Sequence, residues 1–457
     1  MNIIRWGVLV GSLGIAVGAC GDAPGICSSG ELTAALAAAA PGDVVEIGAC
    51  RVEGRFTVGA GVTLRGVGPE SILASAGTAI ELAGDGATLD ALRIEHGGGH
   101  GIVAMAAGAI AIRHVAVDGT LGRAAIGIDG PSSVLLQDVT VGGPVTREAA
   151  GSVPADATAT DTLLYGIVLV GVDDARFERV SVSGFGEAGV VSMDSALSWT
   201  GGDVGNNLGI GVWVNAGQAT LRDLTIHDTL RGFRMTPTYG LIGRAGADVQ
   251  TMGLTVSGSH AGFGLVQEGG TARHTGLISE HHDYGAVLAQ RTTTFELTGA
   301  SEIRDNNFAG MIAVEAGGLT VEDTAVTTTS SMSHVFGDWG SVTVGDGIQL
   351  VHPMAGTQLR RVSVDANERA GILLDLAGGD ASSVTLTEVS ANSAGAGLGC
   401  VAQNGSIVAG WDSGLVRSGA ALANDPGFTG HLDSVGIIGP SDLPLSTDLA
   451  GIIGPSD

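Results

Sequence analysis

LRRVSVDANERAGILLDL, Leu359 to Leu376, carries the pattern on which the fold turns. Its first half places apolar side chains at Leu359, Val362 and Val364, with charged or polar residues between them. That spacing also resembles a leucine-rich repeat, which would put a helix or 3₁₀ turn on the outside of each unit. The continuation, GILLDL from Gly371, instead alternates with period two amid glycine and serine, which is strand chemistry and not helix chemistry.

The same pair of strands recurs along the chain. Glycine-led strands begin at Gly166, Gly189, Gly211, Gly232, Gly285, Gly310, Gly347 and Gly371. Second strands begin at Phe177, Leu221, Leu359 and Leu386, each followed by apolar residues three and five positions on. Several steps are about 22 residues, a period at which a unit buries its apolar side only by stacking on its neighbours. A unit of that length divides into three short strands and three turns, so an all-β fold is expected: a single-stranded right-handed parallel β-helix of about 12 coils. Asn206, Asn306, Asn367 and Asn392 each stand shortly before a strand-opening glycine. Asparagine tolerates the left-handed backbone such corners need, and its amide can bond to the adjacent coil.

The stretch GVTLRGVGPESIL, Gly61 to Leu73, together with LTAALAAAAPGDVVEIG before it, resembles the N-terminal entry of the pectin-lyase-like parallel β-helix proteins. The resemblance implies a short helix capping the first coil. Glu31 to Ala40 suits that role, with Ser28 or Ser29 as N-cap and Pro41-Gly42 as the stop. NDPGF, Asn424 to Phe428, resembles the segment that often follows the last coil. The superfamily hosts pectate and alginate lyases, polygalacturonases, phage tailspikes and non-catalytic surface proteins, so membership does not select an activity. The expected organisation is a signal peptide over 1–19, a linker and cap over 20–50, the β-helix over 51–430, and a tail over 431–457 bearing a repeated GIIGPSD.

The N-terminus speaks to location. Arg5 precedes an apolar run, Trp6 to Val17, too short to span a bilayer, and VGAC, Val17 to Cys20, puts small residues before a cysteine. This resembles a bacterial lipobox and implies lipidation of Cys20: an exported outer-membrane or cell-surface lipoprotein, held by its lipid anchor only. Cys27 and Cys50 flank the cap and first strand, where an oxidising compartment permits a disulfide, and Cys400 reads as a buried thiol.

With 21 arginines, no lysine and 47 acidic residues, the chain carries a formal charge of −26. The missing lysine removes the base that the alginate-lyase-like members of the resembled superfamily use. The charge disfavours nucleic acid, and disfavours bare polyuronates unless Ca²⁺ bridges the carboxylates, so calcium is the one cofactor left in view. Asp173-Asp174 and the Gly99–Gly101 GHG motif occur in the wrong order for a polygalacturonase-like site, whose other segments are missing, and read as turn residues.

Two further patterns bear on sites. Aligned second strands put a charged column two residues after the first inward position: His114, Asp138, Arg179, Asp223, Asp323, Arg361 and Glu388. It reads as an exposed ion ladder, with Asp138–Arg179 and Arg360/Arg361–Glu388 as pairs, or as a calcium or sugar-acid site. The glycine-led strands should also turn Val168, Val191, Trp213, Val287, Ile312 and Leu373 outward, a stripe that should not face water. Three insertions, Gly142 to Tyr165, Thr236 to Asp248 and Thr327 to Asp346, bring Tyr165, Tyr239, Phe336 and Trp339 to cover it or to stack on sugar. The ligand-binding candidates are therefore Trp213, Arg234, Tyr239, Asp338 and Trp339. His281-His282-Asp283 is a weaker metal candidate, because adjacent histidines on a strand point apart. The favoured function is a non-catalytic surface lipoprotein binding polysaccharide or partner proteins through its loops; the alternative is an extracellular polysaccharide lyase or hydrolase with an atypical site.

Overall fold

A computed structural model describes residues 25–105, 108–145, 163–231, 237–335, 341–375, 384–393, 398–403, 408–409, 411 and 413–417. The chain winds through about 13 turns of a right-handed parallel β-helix, 66% strand and 3% helix. One side is a 14-stranded parallel sheet built from the glycine-led strands; the other two sides are continuous through long strands that bend at a corner.

The bend has a simple cause. In Thr357–Asn367 burial alternates until Arg360 and Arg361 are both exposed, and again at Asp365 and Ala366. The second residue of each pair, Arg361 and Ala366, has φ near +50°. One left-handed residue advances the side-chain phase by one, so the strand turns a corner while Leu359, Val362 and Val364 all stay inside. The charged column occupies this corner: His114, Asp138, Arg179, Asp223, Asp323, Arg361 and Glu388 all have positive φ, and Gly201, Gly253 and Gly276 take the same place elsewhere. Side chains there fan outward, and each left-handed non-glycine costs about 1–2 kcal/mol.

The ladder at the next corner differs in detail from the expectation. Asn206 is left-handed, but in the coils of Asn306 and Asn367 the left-handed residues are Asp305 and Ala366. The buried residue that follows makes the inter-coil bond. Asn207, Asn306 and Asn367 accept through Oδ1 from the backbone N–H of Phe185, His282 and Thr329 of the preceding coil, each at 3.1 Å.

The glycine column exists because a side chain there would collide with the core. A Cβ on Gly211 would lie 2.5 Å from the Gly240 carbonyl oxygen and 2.6 Å from Ile226 Cγ2. Inter-coil register corrects two members of the column. Ile210 pairs with Tyr239 and Val212 with Leu241, so Gly240, and not Gly232, follows Gly211. Phe263 pairs with Gly285, so Ala286 holds the column position and Leu288, not Val287, points outward, while Val287 joins the inner core.

At the N-terminal end the helix α1 spans Ser29–Ala38, with Ser28 as N-cap. Its hydroxyl accepts from Glu31 N–H and donates to the Glu31 carboxylate, a reciprocal cap. Leu32 and Leu36 seal the first coil, whose opening strand Val44–Glu46 pairs with Thr63–Arg65. A disulfide joins Cys27 to Cys50, and Cys400 is buried against the core, outside any disulfide.

Candidate functional site

The corner that leads from the long strands back to the 14-stranded sheet is where the coils differ most from one another. The segments between Gly142 and Leu163, between His227 and Thr238, and between Ser330 and Asp346 all leave from it. The second and third are shorter than expected or more ordered. Thr238–Arg244, placed in an insertion from sequence, is a strand of the 14-stranded sheet, and Tyr165 likewise lies within Leu163–Val170. In the third, Met332–Val335 and Ser341–Val344 form an antiparallel hairpin whose Met332 and Val344 pack against the outward face of the sheet.

That outward face is enclosed. Val168, Val191, Ile242, Leu288 and Ile312 form a second apolar cluster outside the solenoid core, together with Tyr165, Trp213, Tyr239 and Phe263. Trp213 and Tyr239 are 4% and 3% exposed, so neither ring offers a face to a ligand. The indole N–H of Trp213 is buried without a partner among the described residues. Arg234, Asp338 and Trp339 lie outside the described residues, as do Cys20, Phe336 and the NDPGF segment.

Farther along the same face sits a buried ion pair. Arg369 donates through Nε to Asp346 Oδ1 at 2.8 Å, through Nη2 to the other carboxylate oxygen, and through Nη1 to the Thr343 carbonyl at 2.6 Å. Gln349 also donates to Asp346, at 3.3 Å. Burial pushes the Asp346 carboxyl above the ordinary carboxylate range, and the Arg369 guanidinium offsets part of that push.

On the long-strand surface, Arg179 makes a two-pronged contact to Asp138 at 2.7 and 2.8 Å, with His114 bridging Asp138 and Asp90. Arg360 and Arg361 turn to Glu322 and Asp323 of the preceding coil, and not to Glu388. His227 is clamped between Asp203 and Asp228, each 3.0 Å from one ring nitrogen, and these carboxylates raise its pKa to about 9. His282 is fully buried, accepts from Ser259 N–H at 3.1 Å, and is pushed by burial down to about 3. Its neighbour His281 is left-handed and exposed, so the two imidazoles do not converge. Among the described residues no group of three or more His, Cys, Asp or Glu is placed to hold a metal, and no helix is long and apolar enough to cross a membrane.

Among the described residues, an open feature of the corner lies over the first coils, before the first insertion. It is a cleft of about 730 Å³ whose wall includes Arg51, Glu53, Arg55, Glu95, His96, Asp118 and Thr120. Register assembles it: Glu53 pairs with Ala74, Ala74 with Glu95, and Glu95 with Asp118, one rung per coil. The small Ala74 leaves the gap that Arg51 crosses to reach Glu95, two coils on. Arg93 joins Glu95 and Asp118 at 3.3 and 2.9 Å, and Arg55 holds Glu81 at 3.0 Å. His96 is nearly buried, bonds Gly98 O through Nδ1 at 3.3 Å, and is kept neutral by burial. Sequence reading passed over these residues because they stand more than twenty positions apart. Their common signal is phase, since Glu53, Ala74, Glu95 and Asp118 each follow the last inward residue of a second strand: Val52, Leu73, Ile94 and Val117.

No protein-family model matches the sequence, and a search of curated proteins finds no match. Among solved structures, the chain is similar to the A-module of the Azotobacter vinelandii mannuronan C-5 epimerase AlgE6, at 14% identity and TM-score 0.44, over 85% of this chain and 95% of that one. It is also similar to the catalytic domain of a GH87 α-1,3-glucanase in complex with nigerose, at 12% identity and TM-score 0.37, over 82% of this chain and 64% of that one. A third is the Dettilon tailspike protein, at 10% identity and TM-score 0.36, over 75% and 61%. The likeness to all three is one of fold alone.

Proposed function

We propose that the protein is an exported lipoprotein, anchored through Cys20, that binds a neutral polysaccharide in the cleft over its first coils without transforming it. The observation that carries this reading is the cleft's polar balance. Two arginines and three carboxylates line it, already joined to one another or to neighbouring charges, while His96 is neutral. Such a wall offers alternating donors and acceptors that suit hydroxyl groups, and it has no net positive field to draw in a polyanion. The charge of −26 on the whole chain acts in the same direction. Among the described residues no Phe, Tyr or Trp lines the cleft, so binding rests on hydrogen bonds and shape.

The hydrolase alternative calls for a carboxyl of raised pKa beside a groove. Asp346 has a carboxyl pushed up by burial, and it is enclosed with Arg369 and Gln349, away from the cleft.

Affinity electrophoresis against neutral and acidic polysaccharides tests the proposal. Wild type should be retarded by at least one neutral glycan and not by polyuronate. Thr120→Trp, at an exposed position of the wall, and Arg51→Ala should abolish the retardation with the β signal retained. Retention by polyuronate alone, or unaltered binding in both variants, refutes it.

A further inference from the structure

The first wall of the cleft is an edge strand. Arg51–Glu53 pairs on one side with Ile72–Ala74, and among the described residues no strand pairs with its other side. Instead the segment before α1 comes alongside the first coil: Ile26 N–H donates to Glu46 O at 3.1 Å, and Gly48 N–H to Ile26 O at 3.2 Å. The disulfide from Cys27 ends at Cys50, the residue immediately before Arg51. Cys50 in turn accepts through its carbonyl from Ile72 N–H at 2.9 Å, so it stands at the root of the cleft wall. Cys27 is exposed and Cys50 half-buried, which leaves the bridge open to a thiol from solvent.

We propose that Cys27–Cys50 is a redox-sensitive latch on the cleft: its reduction frees the Arg51–Glu53 strand and weakens ligand binding while the rest of the solenoid stays folded. The ligand part rests on the cleft reading above. The chemistry is ordinary exchange. Two equivalents of an external thiol supply two electrons and two protons, the protein sulfur–sulfur bond breaks, two protein thiols form, and the reductant leaves as its own disulfide. Arg51 loses the fixed origin from which it crosses Ala74 to Glu95, so the wall's donors and acceptors no longer hold their spacing. The solenoid tolerates this because each coil depends mainly on its neighbours.

The test uses the full chain, oxidised and after dithiothreitol, and the double variant Cys27→Ser/Cys50→Ser. Thiol titration should rise by two on reduction. Hydrogen exchange in peptides covering 50–54 should then accelerate, with peptides beyond residue 163 unchanged, and binding of the retained neutral glycan should weaken about tenfold, equivalent to about 1.4 kcal/mol. Unchanged exchange at 50–54 in the reduced protein overturns the proposal, as does loss of the β signal throughout the chain. If the oxidised protein binds no neutral glycan, the binding reading fails by itself, and the exchange measurement still decides whether the disulfide holds the wall. Should the double variant not fold, reduction of the folded wild type supplies the same comparison.

Discussion

Replacing Arg369 by Met should destabilise the C-terminal coils by about 3–5 kcal/mol at neutral pH, because it strands a carboxylate in the sheet's outer cluster. Asp346 is fully buried, and Arg369 supplies its two strongest contacts; afterwards the Gln349 amide, at 3.3 Å, and the Ala370 backbone N–H remain, neither of them charged. The pH dependence has a definite sign. The folded-state pKa of Asp346 lies above the ordinary value because burial outweighs the guanidinium. A raised carboxyl contributes stability that is fully present below its unfolded value and lost as pH rises through the folded one. Without Arg369 that folded value rises further, so the variant's deficit should be largest near neutrality and shrink on acidification. Asp346→Asn combined with Arg369→Met should recover most of the loss, since the charge and its partner leave together. Because a solenoid opens locally, the measurement is hydrogen exchange of peptides spanning 346–351 and 370–375, supported by urea midpoints at several pH values. A deficit below about 1 kcal/mol at neutral pH, or one that grows in acid, refutes the reasoning.

Three other expectations follow from single contacts. Asn306→Ala leaves the His282 N–H without that acceptor and should cost about 1–3 kcal/mol in urea unfolding, and Asn306→Asp should not restore it at neutral pH, because a buried carboxylate would face the Arg304 and Ser279 carbonyls to which the amide donates. His227 should stay protonated through neutral pH and titrate near 9 by NMR; being part-exposed, its contribution is about 1 kcal/mol at most, fully present below its unfolded value and lost as pH rises through about 9, and Asp203→Asn should lower the titration point. Cys20→Ala should release the protein from membranes in detergent fractionation, and full retention would place the anchor elsewhere.

The repeat of about 22 residues, the inward triplets such as Leu359, Val362 and Val364, and the Ser28–Glu31 cap are local properties, so the sequence alone determines a capped parallel β-helix. Side-chain phase is written into the strand itself, because every apolar residue that must face inward has to sit where the backbone period puts it. The inter-coil register is not local. Gly232 and Gly285 have the same apolar neighbours as the true column glycines, and only hydrogen bonding to the adjacent coil places Gly240 and Ala286 there and turns Leu288 outward. The same holds for sites. The outward stripe is legible as apolar, yet the enclosure of Trp213 and Tyr239 depends on what packs over the sheet. Arg51, Glu95 and Asp118 have nothing in common along the chain, and they form one cleft because successive coils lie about 4.8 Å apart and a small Ala74 falls between them.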